Sequence, residues 1–269
     1  MEKVKVGVIG CGTIGTELCR YIDIQLPNAK LVAVCDIVPG KAKELADNLV
    51  KRPKILDIDR LVDEADLVIE AASKKACGEV VRKCCEKNKN VMVMSTGGIL
   101  EDIALIDLVR KQGVKMYLPS GAIVGLDGVK AAVPGDIETI SLTTYKPPAG
   151  LKGAPFITKN NIKLDEIKEE TLIFEGTALE AVAGFPANIN VAATLSLAGL
   201  GAKKTKVRIF TSPDLKINIH EIEIKGEFGR ITTRAENLPS PHNPKTSYLA
   251  SLSAMATLKQ ICDNIKVGT

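Results

Sequence analysis

The chain of 269 residues contains no tryptophan, and aromatic residues make up 3% of it. The core must therefore be aliphatic, and the composition argues against nucleic-acid binding by stacking bases on aromatic rings. Histidine is scarce, with two residues, so the search for imidazole chemistry is short. Charge of one sign does not dominate: 36 Lys and Arg stand against 32 Asp and Glu, a net charge of +4. That balance excludes a polyanion binder and fits a small acidic substrate slightly better than a basic one. The seven cysteines form no CxxC pair or zinc-ligand spacing, and neither HExxH nor a Gly-Lys-[Ser/Thr] phosphate loop occurs, so no metal site is expected. Several cysteines lie in apolar runs, where a thiol is a small hydrophobe. An odd count of such thiols points to a reducing compartment, hence the cytoplasm.

Hydrophobic residues amount to 45% and charged residues to 25%, the balance of a folded soluble protein. The N-terminus runs directly into a β-rich segment without a signal-peptide pattern. Residues 181–202 carry no charge and are long enough to span a bilayer. Gly184, Pro186, Asn188, Asn190, Thr194 and Ser196 interrupt that run, so it reads as a buried helix or helix pair, and no membrane association is expected.

Strand-like and helix-like patterns alternate through the first part of the chain. Residues 3–9, 29–35, 65–71, 90–94 and 114–118 read as five strands. Residues 13–24, 39–50, 75–87 and 102–112 read as the helices between them. Strict alternation predicts a doubly wound parallel sheet with right-handed crossovers. The pattern changes near Ser120. Strand-like runs at 137–145, 171–175, 205–210, 216–225 and 229–235 cluster around an Ala-rich helical region at 177–201, broken near Phe185-Pro186. Residues 149–155 read as a turn-rich loop. This predicts a second α+β domain with a mixed, largely antiparallel sheet. The expected division is 1–121 for dinucleotide binding, 122–246 for catalysis and dimerisation, and 247–269 for a terminal helix returning to the first domain.

Gly10-Cys11-Gly12-Thr13-Ile14-Gly15 places GxGxxG between a strand and a helix. Gly10 permits the tight turn, Gly12 lets the backbone approach a pyrophosphate, and Gly15 lets helix and strand pack closely. The N–H groups that open the helix attract phosphate. Asp36 ends the second strand about 20 residues past the last glycine, the place of the acidic residue that binds the adenosine ribose. A 2′-phosphate would meet its charge, which favours NAD over NADP. Lys41 and Lys43 follow closely enough to offset part of that repulsion.

Two histidines remain to be weighed. In an extended strand Asn218, His220, Ile222 and Ile224 share one face, opposite Glu221, Glu223 and Lys225. The isoleucine face should be covered, so His220 points to core or pocket, either as a satisfied core imidazole or as a catalytic group. His242 lies in a Pro-rich loop and reads as exposed. No cysteine has the setting of a thiohemiacetal nucleophile. Ser120-Gly121-Ala122-Ile123 follows the fifth strand, at the carboxyl edge where cofactor and substrate meet in such sheets. Asn188 either caps a helix opening at 186–190 or reaches a nicotinamide carboxamide.

Seven segments, in order over nearly the whole chain, carry a family resemblance. They are the glycine fingerprint, Pro119-Ser120-Gly121-Ala122-Ile123, Tyr145-Lys146-Pro147-Pro148, Phe185-Pro186-Ala187-Asn188-Ile189-Asn190-Val191-Ala192, Asn218-Ile219-His220-Glu221-Ile222, Gly226-Glu227-Phe228-Gly229 and Asn243-Pro244-Lys245-Thr246-Ser247. Together they resemble the L-aspartate dehydrogenases that make iminoaspartate for NAD biosynthesis. The resemblance implies a Rossmann domain, a second α/β domain and a homodimer. It implies NAD- or NADP-linked oxidation of L-aspartate to iminosuccinate, followed by hydrolysis to oxaloacetate and ammonia, with a possible hand-off to a quinolinate-forming enzyme. It places the active-site histidine at His220 and nicotinamide-side contacts at Ala122 and Asn188. The two substrate carboxylates need cationic or N–H partners. Lys245, in a turn after Pro244, is the first candidate, with Thr246 and Ser247 beside it; Lys146 is the second. Homoserine dehydrogenases and dihydrodipicolinate reductases share the two-domain plan, but the paired-His motif of the latter is absent here. A non-catalytic NAD-binding sensor is the alternative outside enzymes.

Overall fold

β1 (Val4–Ile9) is fully buried from Val6 onward and lies inside a six-stranded sheet, flanked on each side by a parallel neighbour. Burial on both faces explains why its sequence is a continuous apolar run and not an alternating one. The computed structural model describes residues 2–186, 190–241 and 243–268. They form two compact units. One ends at Pro119 and includes Ser251–Lys266; the other holds Ser120–Ala250 with Val267 and Gly268.

In the first unit β1 is followed by α1 (Thr13–Ile24), β2 (Ala29–Cys35), α2 (Pro39–Asp47), β3 (Lys54–Ile55), α3 (Ile58–Glu64), β4 (Leu67–Glu70), α4 (Lys74–Glu86), β5 (Asn90–Val93), α5 (Gly97–Glu101), α6 (Ala104–Gln112) and β6 (Met116–Tyr117). The sheet order is β3-β2-β1-β4-β5-β6 with every pair parallel, the doubly wound dinucleotide-binding topology. It has one strand more than the sequence pattern predicts. β3 is two exposed residues at the sheet edge, too short to show a period, and α3 behind it was hidden for the same reason. Segment 120–123 therefore follows the sixth strand, not the fifth. Leu18, Cys19 and Ile22 of α1 pack with Val6, Val8, Leu31 and Val34 in an aliphatic core. Ala254 and Leu258 join that core from α12 (Tyr248–Cys262).

The second unit contains α7 (Leu126–Ala132), β7 (Ile137–Lys146), α8 (Pro148–Leu151), α9 (Pro155–Lys159), β8 (Thr171–Thr177), α10 (Ala178–Gly184), α11 (Asn190–Ala198), β9 (Lys206–Thr211), β10 (Asn218–Gly226), β11 (Gly229–Asn237), β12 (Pro239–Ser240) and β13 (Asn243–Ser247). Five strands form a sheet in the order β11-β10-β7-β9-β8, antiparallel except for the β7–β9 pair. The region at 149–155 is not the loop expected: two short helices, each opened by proline at its first turn, bracket a brief turn. The uncharged run resolves into α10 and α11, and among the described residues no helix is long and apolar enough to cross a membrane. Phe185, fully buried between them, packs on Phe156 and Phe174 with ring centroids 5.3 and 5.5 Å away. That aromatic trio anchors the Phe-Pro segment to the sheet.

Candidate active site

At the end of β1 the chain turns through Gly10, whose φ of 100° suits glycine, and the Gly10 N–H donates to the Cys35 carbonyl at 2.8 Å. A Cβ at Gly10 would lie 2.5 Å from the Ala71 carbonyl oxygen, and one at Gly15 only 1.9 Å from that of Gly10. At Gly12 a Cβ would meet nothing within 4 Å. Gly10 and Gly15 thus close the turn against the sheet, while Gly12 leaves open the space a pyrophosphate needs. α1 begins at Thr13 with no side-chain cap, and Ile14 packs on the core beneath. This donor arrangement fits the diphosphate of a dinucleotide.

Asp36 stands at the end of β2 with Oδ2 accepting the Cys11 N–H at 2.7 Å and Oδ1 accepting the Val38 N–H at 2.8 Å. The carboxylate is thereby fixed beside the glycine turn, and each oxygen keeps a lone pair for a ribose hydroxyl. A cleft of about 530 Å³ opens here, lined by Asp36, Pro39, Leu56, Asp57, Asp59 and Glu79 among others. Its carboxylates oppose an added phosphate on the ribose, whereas Lys41 and Lys43 are exposed on α2. Burial pushes the Cys11 thiol up to about 12, so it remains protonated and is no nucleophile.

One residue here escaped the sequence reading. Glu70 ends β4 fully buried and accepts hydrogen bonds from the N–H groups of Ala72, Ser73 and Ser95 and from Ser95 Oγ. Burial raises its pKa, against the pull of those donors. It pins the turn whose Ala71 carbonyl lies against Gly10. The available signal was a single acid closing the otherwise apolar Leu-Val-Ile-Glu strand.

In the second unit Ile140, Leu142, Thr144 and Lys146 of β7 align with Ile222, Ile224 and His220 of β10 on the covered face of the sheet. Helices α7 and α11 cover that face: Gly128 sits against Ile231, and Gly199, just past α11, against Ile140. His220 is 4% exposed, and its Nδ1 lies 3.0 Å from Thr144 Oγ1 on the paired residue of β7. The contact fixes the ring plane and leaves Nε2 for another partner. Burial, and then the charge of Lys146, push His220 down to about 3. Lys146 is itself buried, and burial lowers its amine to about 8.

The segment 122–124 is fastened to β11 by two side chains. Asn237 Nδ2 donates to the Ala122 carbonyl at 3.1 Å, and Thr233 Oγ1 to that of Val124 at 3.1 Å. Asn237 also donates to Ala235 O, so its amide nitrogen faces two carbonyls. Its Oδ1 is buried with no hydrogen-bond partner among the described residues. Asn237 pairs with Asn218 on β10, one covered-face position along from the Ala235–His220 pair. Ala122 is thus tied to β11 one covered-face position along from the residue that pairs with His220. Nothing local in the sequence pointed to Thr144 or Asn237.

The remaining expectations divide. Asn188 and His242 lie outside the described residues, as does the side chain of Lys245. The backbone at 243–247 is strand β13, paired with β12, and not the turn expected after Pro244. Thr246 is half-buried and Ser247 buried. All seven cysteines are thiols, and the described residues contain no cluster of three or more metal-ligating side chains.

Comparison with known proteins agrees with this architecture. Residues 127–261 match the family described as aspartate dehydrogenase, C-terminal, and residues 10–119 the homoserine dehydrogenase NAD-binding domain. An L-aspartate dehydrogenase of Methanococcoides burtonii is 50% identical over 99% of this chain and 100% of its own length. The enzyme of that name from Methanosarcina mazei is 47% identical with the same coverage. A crystal structure of aspartate dehydrogenase from Thermotoga maritima superposes with a TM-score of 0.78 at 26% identity, covering 99% of this chain and 100% of that one.

Proposed function

The chain belongs to the L-aspartate dehydrogenase family, and from that premise we propose that it oxidises L-aspartate to iminosuccinate, which hydrolyses to oxaloacetate and ammonia. The observation that carries this reading is a buried imidazole, oriented by Thr144 and accompanied by a buried amine, in a chain that also bears a complete dinucleotide turn. A dinucleotide, when bound, would supply a hydride acceptor at C4 of its nicotinamide. Gly12 and the start of α1 would hold its diphosphate, and Asp36 its ribose hydroxyls. The carboxylates around the cleft favour NAD, and NADP is accepted less well. The family resemblance assigns the nicotinamide side to Ala122 and Asn188.

His220 is assigned the proton from the water that adds to the imine and the proton that assists departure of ammonia. Burial keeps the imidazole uncharged near neutrality and weakens it as a base, so this role calls on the negative charge of a bound substrate to raise its affinity for the proton. Holding substrate and cofactor in register supplies much of the remaining rate. Lys245, Thr246 and Ser247 receive substrate carboxylates. The family resemblance supports a cytoplasmic homodimer that feeds iminoaspartate into NAD biosynthesis, with hand-off to a quinolinate-forming enzyme.

A screen of amino acids with NAD and with NADP, followed at the NADH absorbance band, tests the reading. L-Aspartate should give the highest kcat/KM. Turnover with homoserine in its place would move the chain to another activity, and NADH binding without turnover of any amino acid would mark a sensor. A His220→Ala enzyme should keep NADH affinity and lose turnover by about a hundredfold or more.

A further inference from the structure

The sheet that carries His220 presents a second proton-carrying group on the same face. Lys146 ends β7 two residues beyond Thr144, so both side chains project to the covered side. Its backbone carbonyl accepts Thr211 Oγ1 at 2.6 Å from the neighbouring strand, which holds the main chain from which the side chain springs. The side chain is almost entirely withdrawn from solvent, with the residue 7% exposed. An amine held in such a place has one of two uses in an amino-acid dehydrogenase: a seat for a carboxylate, or a base for the substrate nitrogen.

We propose that Lys146 is the base that removes a proton from the α-ammonium of the amino-acid substrate. This rests on the aspartate dehydrogenase reading and deepens it. An ammonium nitrogen has no electron pair to give. Transfer of one proton to Lys146 Nζ frees that pair, which forms the C=N bond as the Cα–H bond breaks and its hydrogen leaves with both bonding electrons for the oxidised nicotinamide. Aspartate loses two electrons, the dinucleotide gains them, and Lys146 returns its proton to solvent before the next turnover.

The surroundings favour this use over a fixed cation. Burial brings the Lys146 amine to about 8, so a useful fraction is uncharged at neutral pH, whereas an ordinary lysine near 10.4 would be almost wholly protonated. The same burial, with the Lys146 charge, pushes His220 to about 3 and makes it the weaker base. Two groups driven apart in this way divide the acid–base work between them. On the covered face β10 contributes Asn218 and His220, β9 Thr211, and β11 Asn237, so His220 is the one titratable strand neighbour among the described residues. Of the helices against this sheet, α11 has no charged residue, Glu180 of α10 is bound to Thr177, and Asp127 and Lys130 of α7 pair at 2.9 Å.

The test compares Lys146→Met, Lys146→Ala and Lys146→Arg with the wild type. The wild-type kcat for aspartate should rise with pH along a limb centred between about 7 and 9, around the amine at about 8. Lys146→Met should retain NADH affinity, lose kcat by about a hundredfold or more and lose the limb. Methylamine should restore turnover to Lys146→Ala in proportion to its free-base concentration. Succinate, which has both carboxylates and no amine, separates the two uses: calorimetry should give a Kd for Lys146→Met within about threefold of wild type. Succinate binding weakened about tenfold or more, with Lys146→Arg restoring it, would make Lys146 a carboxylate seat and overturn the proposal. So would a flat wild-type kcat profile, which needs no variant to fold. A wild type that turns over no aspartate defeats the underlying reading; normal turnover by Lys146→Met defeats only this inference.

Discussion

Thr144 Oγ1 and His220 Nδ1 lie 3.0 Å apart on paired residues of β7 and β10, both residues buried on the covered face of the sheet. Removing one partner of a buried pair leaves the other unsatisfied, at a cost of about 1–3 kcal/mol. Thr144→Val should therefore free the ring and lower kcat about tenfold or more, with NADH affinity unchanged, while Thr144→Ser stays near wild type. Stopped-flow measurement of the hydride step, beside equilibrium NADH titration, separates these effects. An unaltered hydride rate in Thr144→Val would remove Thr144 from the positioning role.

The buried imidazole also makes stability depend on pH. Its pKa is about 3 in the fold against 6.5 for an ordinary histidine. Between those values the unfolded chain binds the proton and the fold does not. Stability is therefore lost as pH falls through that window, by up to about 5 kcal/mol across its full width. His220→Gln should show a much smaller shift in urea midpoint between pH 7 and pH 4. Parallel acid profiles for the two proteins would mean that the imidazole is solvated and titrates normally.

Asp36 is the proposed ribose ligand. Asp36→Ser removes the charge that a 2′-phosphate would meet, so the NADP-to-NAD ratio of kcat/KM should rise about tenfold, equivalent to about 1.4 kcal/mol. The Cys11 and Val38 N–H groups lose their acceptor as well, so affinity for both cofactors should fall. A ratio that does not move would place the ribose away from this carboxylate.

Asn237 binds the carbonyl of Ala122, the residue proposed above for the nicotinamide side. Asn237→Leu breaks the bond to the Ala122 carbonyl and should weaken NADH binding about tenfold, with a smaller effect on kcat at saturating cofactor. Loss of kcat with intact NADH affinity would mean instead that Asn237 serves the chemistry around His220.

The parts of this architecture that were legible in the sequence are those encoded over short spans. The glycine turn and Asp36 follow one another within a single strand-helix-strand unit. The burial of His220 follows from a two-residue alternation with Ile222 and Ile224. β3 was not legible because two exposed residues carry no period. Thr144, Glu70 and Asn237 were missed for another reason: each has a partner distant in sequence, His220, Ser95 and Ala122 at 76, 25 and 115 residues, and threonine, glutamate and asparagine look the same in a sequence whether they face water or a buried polar group. Lys146 was legible only as a cation, since the lowering of its pKa is a property of the packed sheet.

β11 is an edge strand, and the alternation that turns Thr233 and Asn237 inward turns Arg230, Arg234 and Glu236 outward. Arg234 pairs with Glu221 and Glu236, and Arg230 with Glu223, so the outer surface of this margin is a ladder of alternating charge. Charged side chains on an exposed edge discourage another strand from zipping onto it. The strand that fastens Ala122 on one side is guarded against aggregation on the other. Sequence drift that neutralised the outer row would threaten solubility before it touched catalysis.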